Sequence, residues 1–198
     1  MKNLLHRRAV VTGLLRDRGA LLVVAGLGAP AWDITAAGDH PLSFPLWGAM
    51  GGAATLGLGL ALAQPKRQVL VITGDGEMLM GLGSLAVIGV QRPANLSIVV
   101  LDNERYGETG MQPTHTAHGV DLAAMASAAG FPRTRIVRKS SELLQLRADV
   151  YASKSDGPLF AQVKVDPEKL PLVLPPRDVA YLKSRFRIAL LGEQSAHD

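Results

Sequence analysis

Apolar residues in this chain recur in short blocks, set apart by amphipathic stretches and glycine-rich turns, and the blocks differ in period. Leu4 to Arg16 alternates apolar and basic positions at helical spacing and is closed by Gly19. Ala20 to Ala25 is apolar throughout, the pattern of a strand buried on both faces. The same reading gives strands at Gln68 to Thr73, Leu96 to Leu101 and Leu159 to Val165. It predicts helices over Trp47 to Ala63, Met78 to Gly89, Ser140 to Val150 and Arg177 to Leu191, and Asp121 is placed to cap a helix running to Ala129. From the turn Gly26-Leu27-Gly28-Ala29-Pro30 to Pro45, a stretch rich in Gly, Pro and Asp reads as an ordered surface loop. Short apolar strands alternating with helices imply an α/β fold, a three-layer open parallel sheet with helices on both faces. Residues 1–198 are expected to form a single domain with a helical tail at about 177–198.

Composition narrows the function. No cysteine is present, which excludes disulfides, thiolate-bound clusters and a cysteine nucleophile, and with no leader segment the expected location is cytoplasmic. The net charge of +4 comes from scattered basic residues without interleaved aromatics, so nucleic acid is not an expected partner. Between Asp39 and Lys66 there is no Asp, Glu, Lys or Arg, a length that invites a membrane span. Pro41, Pro45 and Pro65 confine any helix there to about Trp47 to Gln64, and Gly48, Gly51, Gly52, Gly57 and Gly59 reduce its apolar area. A helix buried within or between subunits is expected instead of a membrane span.

The chemistry concentrates where two apolar runs end. Val69 to Thr73 leads into Gly74-Asp75-Gly76, and Leu96 to Leu101 leads into Asp102-Asn103. The 26 residues between Gly76 and Asn103 accommodate a helix and a return strand. Such a βαβ unit would bring Asp75 and Asn103 together at the carboxyl ends of neighbouring strands, where open α/β sheets bind ligands. Gly-Asp-Gly alone also suits an ordinary turn in which Asp caps a helix. With Asn103 it suits Mg²⁺: a carboxylate from Asp75, an amide oxygen from Asn103 and a backbone carbonyl just beyond, such as that of Arg105, leave room for phosphate oxygens and water. The helix after Gly76 would aim its free N–H groups at those phosphates.

The polar segment Asn103 to Gly119 is long for a mere connection. Its His115 and His118 invite a metal reading but lack an evident third ligand, so a solvated loop, or a role in binding an acidic substrate, is preferred. Gly26-Leu27-Gly28-Ala29-Pro30-Ala31 fits a dinucleotide fingerprint, although the acidic residue such a site requires falls in the Pro-rich region around Asp39.

Gly74-Asp75-Gly76 followed at this distance by Asn103 resembles the thiamine diphosphate motif, and Trp47-Gly48-Ala49-Met50-Gly51 is similar to the cofactor-supporting segment of 2-oxoacid decarboxylases. The resemblance covers roughly Ala20 to Val165. It implies a diphosphate-binding domain in which Asp75, Asn103 and the Arg105 carbonyl hold Mg²⁺. It also implies that the Gly48 carbonyl accepts from the aminopyrimidine and that the Met50 side chain wedges between the rings. Gly28, Gly74, Gly76, Glu77 and Tyr106 would lie along the cofactor, with Glu77 using only its backbone because two anions repel. Relatives often carry Ser at the position of Glu77, and a hydroxyl or amide residue near Gly26. The loop Glu104 to Gln112 would lie beside the thiazolium, with Glu108, Thr109 and Gln112 nearest the substrate.

The family's pyrimidine-binding domain, with its activating glutamate, does not fit into 198 residues beside this one. The architecture is similar to the β chains of sulfopyruvate decarboxylases and to the separate half of phosphonopyruvate decarboxylase-like proteins. A pyrimidine-binding α chain is thereby implied, in an α2β2 or larger assembly acting on a small 2-oxoacid. Two alternatives stay open: a non-catalytic thiamine diphosphate-binding or regulatory subunit, and an NAD-binding oxidoreductase domain.

Overall fold

The computed structural model describes residues 4–152 and 155–197. In chain order the elements are α1 (Arg7–Leu15), β1 (Leu22–Ala25), α2 (Ala29–Ala36), β2 (Ser43–Pro45), α3 (Ala53–Ala63), β3 (Val69–Gly74), α4 (Asp75–Met80), α5 (Ser84–Gln91) and β4 (Leu96–Asp102). A small hairpin follows, β5 (Arg105–Tyr106) with β6 (Gln112–Pro113), then α6 (Leu122–Ala128), β7 (Arg133–Val137), α7 (Leu143–Val150), β8 (Leu159–Lys164) and α8 (Val179–Leu191). Six strands form one parallel sheet in the order β2-β1-β3-β4-β8-β7.

Alternate residues of the inner strands feed two separate cores. Val23, Ala25, Leu70, Ile72, Val99 and Leu101 pack under α1, α2 and α7. Leu22, Val24, Val69, Val71, Ile98 and Val100 pack under α3, α5 and α6 on the opposite face. A strand covered on both sides has no position to spare for water, which is why these segments are apolar throughout. Such an arrangement is the expected three-layer fold.

The structure corrects several sequence-based boundaries. The stretch between Gly26 and Pro45 is not a loop, because α2 starts with Pro30 in its first turn and β2 then pairs with β1 from Val23↔Ser43 to Ala25↔Pro45. At three residues, β2 is too short to show a period. Edge strand β7, Arg133–Val137, carries two arginines and is buried fully only at Val137, so no apolar block marks it. Helix α3 begins at Ala53 instead of Trp47, since Ala49 (φ 56°) and Gly51 (φ 91°) adopt the left-handed conformation and keep 47–52 irregular.

The Met78 to Gly89 helix is in fact two helices separated at Gly81-Leu82-Gly83. A Cβ at Gly81 would fall 2.2 Å from the Gly51 carbonyl oxygen, so only glycine lets the two loops meet. The C-terminal helix is docked: Phe186 meets Phe44 edge-on with ring centroids 5.5 Å apart, and the Trp47 indole N–H donates to the Pro176 carbonyl at 2.8 Å. Among the described residues no helix is long and apolar enough to cross a membrane.

Candidate functional site

A cleft of about 440 Å³ opens at the carboxyl ends of β1, β3 and β4. The sheet reverses its direction of growth between β1 and β3, the switch point at which open α/β sheets bind ligands. β3 and β4 pair from Val69↔Leu96 to Gly74↔Leu101, so Asp75 and Asn103 leave neighbouring strands at the same end of the sheet. Both line the cleft, together with Met50, Gly74, Gly76, Glu77, Arg105, Tyr106, Glu108 and Thr109. Three anticipated residues are placed differently. Gly28 is a buried, left-handed N-cap of α2 (φ 78°) behind Glu108, Gly48 is exposed outside the lining, and Gln112 is exposed in the hairpin, opposite Tyr106.

Asp75 is the first residue of α4 and is only 2% exposed. Its Oδ2 accepts from Thr114 Oγ1 at 2.5 Å and lies 3.2 Å from Thr116 Oγ1. Among the described residues no side chain donates to its Oδ1. Burial raises the Asp75 carboxyl to about 6, with the Asp102 charge adding to the rise and the Thr114 and Thr116 hydroxyls opposing it.

Behind it Asp102, fully buried, accepts from Thr116 (2.8 Å), from Gln162 Nε2 (2.6 Å) and from the Glu104 backbone N–H (3.1 Å). Lys164, the register partner of Asp102 on β8, reaches Asp102 at 2.7 Å and Glu104 at 2.9 Å. Burial alone would lower the Lys164 ammonium, but hydrogen bonds to these two carboxylates outweigh it and leave the pKa raised. Sequence reasoning singled out none of Thr114, Thr116, Gln162 and Lys164. A signal existed for the last two, since polar residues two apart in a strand buried on both faces require partners.

Glu77 turns its side chain away from the cleft centre. It accepts from Thr73 Oγ1 at 2.6 Å and from the Ala53 backbone N–H at 3.3 Å. Burial raises its carboxyl, while Thr73 and the backbone N–H groups of Ala53, Gly51 and Leu27 pull the other way. The carboxylate thus ties the β1 turn and the start of α3 to β3. A Cβ at Gly26 would lie 1.6 Å from Glu77 Oε2, so the carboxylate fills the space over the first glycine of the dinucleotide-like turn. β2 is followed by Leu46 where a nicotinamide site would place an acid.

The loop after Asn103 is held closely. Asn103 Oδ1 accepts from the Arg105 N–H at 2.9 Å, Glu104 takes a left-handed φ of 62°, and Tyr106 packs over Gly76, where a Cβ would fall 2.6 Å from its ring. Glu108 is exposed, but its carboxyl sits over Gly28, where partial burial raises its pKa and the Arg7 charge lowers it. His115 and His118 are exposed in a short 3₁₀ helix. Among the described residues no group of three His, Cys, Asp or Glu side chains is arranged to hold a metal. What the cleft offers is one carboxylate oxygen without a side-chain donor, one amide oxygen with a second lone pair and nearby backbone carbonyls. These are hard oxygen donors of the kind Mg²⁺ takes when a phosphate ester completes its shell. Met50, 39% exposed at the cleft, is the flexible apolar side chain that could underlie a bent cofactor.

Comparison with known proteins defines the class. Residues 30–163 match the family described as thiamine pyrophosphate enzyme, C-terminal TPP binding domain, and the chain belongs to it. It is 39% identical to sulfopyruvate decarboxylase subunit beta of Methanothermobacter thermautotrophicus over 176 residues, 89% of each chain. It is also 39% identical to phosphonopyruvate decarboxylase of Streptomyces viridochromogenes, over 83% of this chain and 41% of that one. Benzoylformate decarboxylase from Polynucleobacter necessarius shares the fold, with a TM-score of 0.66 at 21% identity over 85% of this chain and 34% of that structure.

Proposed function

We propose that the chain is the thiamine diphosphate- and Mg²⁺-binding β subunit of a two-chain decarboxylase that converts a small 2-oxoacid to an aldehyde and CO₂. The observation that carries this reading is the placement of Asp75 and Asn103 at adjacent strand ends in one cleft, in a chain of this family. Asp75 Oδ1, Asn103 Oδ1 and the Arg105 carbonyl would hold the ion. Met50 would support the thiamine, and the backbone from Gly74 to Glu77 would line the diphosphate. When bound, thiamine diphosphate supplies a carbon nucleophile and an electron sink for the loss of CO₂.

The chain's own part is to orient and enclose. Glu108 and Thr109 border the cleft and would face the substrate, whereas Gln112 would act on the loop by accepting from the Thr109 hydroxyl at 3.0 Å. Arg105 and Lys169 at the rim offer positive charge to a second anionic group, sulfonate or phosphonate, like those named in the relatives. The glutamate that activates the pyrimidine would come from an α chain, in an α2β2 or larger complex.

Calorimetry with thiamine diphosphate and Mg²⁺ tests the site. Wild type is expected to bind weakly, and Asp75→Ala or Asn103→Ala to lose Mg²⁺-dependent binding. Equal affinity in wild type and Asp75→Ala would overturn the metal assignment. Decarboxylation of a panel of 2-oxoacids is expected only after a pyrimidine-domain chain is added, and turnover by the isolated chain would refute the two-chain reading.

A further inference from the structure

Two threonines join the carboxylate of the cleft to the loop that borders it. Thr114 is fully buried and donates to Asp75 Oδ2, while its own backbone N–H donates to the Glu104 carbonyl at 3.1 Å. Thr116, 4% exposed, lies between two buried carboxylates, 2.8 Å from Asp102 and 3.2 Å from Asp75, and 2.9 Å from the Thr114 hydroxyl. Two hydroxyls supply two protons, so Thr114 serves Asp75 and Thr116 serves chiefly Asp102 at the shorter distance. The loop between Asn103 and Thr114 contains non-glycine residues at positive φ, Glu104 (62°) and Met111 (65°), which persist only where the surroundings over-determine them. At its start Lys164 holds Glu104, and at its end the threonines hold Asp75.

We propose that Thr114 and Thr116 are positioning residues. The Thr114 hydroxyl fixes one oxygen of Asp75 so that the other faces the cation, Thr116 braces it from Asp102, and the same bonds fasten the far end of the loop 104–113. The cation site and the substrate loop are therefore one mechanical unit, begun by Asn103 and closed by Thr114. The part concerning the cation rests on the functional reading above, whereas the fastening of the loop does not.

Thr114→Val keeps the shape and removes the donor; Thr114→Ser keeps the donor. A charge-assisted hydrogen bond of this kind corresponds to roughly a tenfold effect or more. In Thr114→Val the hydrogen-bonded amides of the loop, those of Glu104, Arg105 and Met111, are expected to exchange with deuterium at least ~10-fold faster, and the apparent Kd for thiamine diphosphate at fixed Mg²⁺ to rise by a similar factor. Thr114→Ser is expected to restore both, and Thr116→Val, which leaves the 2.5 Å bond intact, to show a smaller change in each. Far-UV circular dichroism and Tm establish that each variant is folded. Wild-type exchange in folded Thr114→Val, or a serine variant as impaired as the valine one, would overturn the proposal. Unchanged cofactor affinity in Thr114→Val, with Asp75→Ala defective, would overturn the positioning of Asp75 and leave the metal site standing. If Asp75→Ala binds as wild type does, the metal reading fails and the positioning claim with it, while the exchange measurement still decides the loop.

Discussion

A carboxylate at position 77 holds backbone segments around the cleft that are far apart in sequence. Because Glu77 is 4% exposed and receives Thr73 and backbone N–H groups, removing it leaves buried donors without acceptors. Glu77→Ala is expected to destabilise the fold by about 2 kcal/mol or more, read from urea denaturation followed by circular dichroism. Glu77→Gln, which retains one acceptor oxygen, should lose less. At this scale the sequence was informative where function lay at the end of a single strand. Asp75 and Asn103 were legible because a βαβ spacing places both ends without knowledge of the rest. The partners of Asp75 were not, since Thr114 and Thr116 reach it across 39 and 41 residues from a segment without periodicity. The role of Glu77 was half legible: repulsion excluded its side chain from a diphosphate, but nothing local showed which N–H groups it would take instead.

Among the elements, strands and helices that pack on both sides of the sheet were readable from their apolar runs. Those stabilised by neighbours were not: β2 and β7 have no apolar block because β1 and β8 supply their ladders. The break between α4 and α5 falls at Gly81 and Gly83, a local stop signal inside an apolar run, and the approach of Gly51 to Gly81 is what requires the first of these to be glycine. Helix α8 shows a further case, for its docking adds an ion pair to its aromatic contact. Arg185 donates to Asp39 at 2.6 and 3.0 Å, and this hydrogen bonding, against a smaller effect of burial, holds the Asp39 carboxyl below its ordinary 3.8. A carboxyl lowered on folding stabilises the fold above its unfolded pKa, and the contribution disappears as the pH falls through the lower folded value. Acid titration of stability should therefore show a small decline below about pH 3.8 that Arg185→Ala abolishes. With Asp39 half exposed, the contribution stays under about 1 kcal/mol.

For the molecule as a whole, the sheet divides the work between its two ends. The carboxyl ends of the strands collect the β1 turn, the start of α4 and the loop after β4 into one cleft, while at the amino end of β4 Asn95 ties the end of α3 and the turn after it through the Ala61, Gln64 and Arg67 carbonyls. Chemistry at one end is thus separated from the apolar layers that set stability, so variants at Asp75 or Asn103 are expected to lose ligand binding with little loss of the sheet itself. The fold class and the place of the cleft at the strand ends were legible because both follow from strand order and ends.

The tether from the Trp47 indole to the Pro176 carbonyl carries a practical consequence. The chain has only two tryptophans, and the other, Trp32, lines the cleft wall, while Trp47 stands three residues before Met50. Trp32 is therefore the indole in contact with the cleft, whereas Trp47 lies outside its lining and is fastened to Pro176. Intrinsic emission becomes an unlabelled gauge of occupancy. Addition of thiamine diphosphate with Mg²⁺ should quench or shift it, and Trp32→Phe should remove most of that response while Trp47→Phe retains it. A spectrum unchanged by saturating ligand, in a sample shown by calorimetry to bind it, would mean that the ligand sits elsewhere.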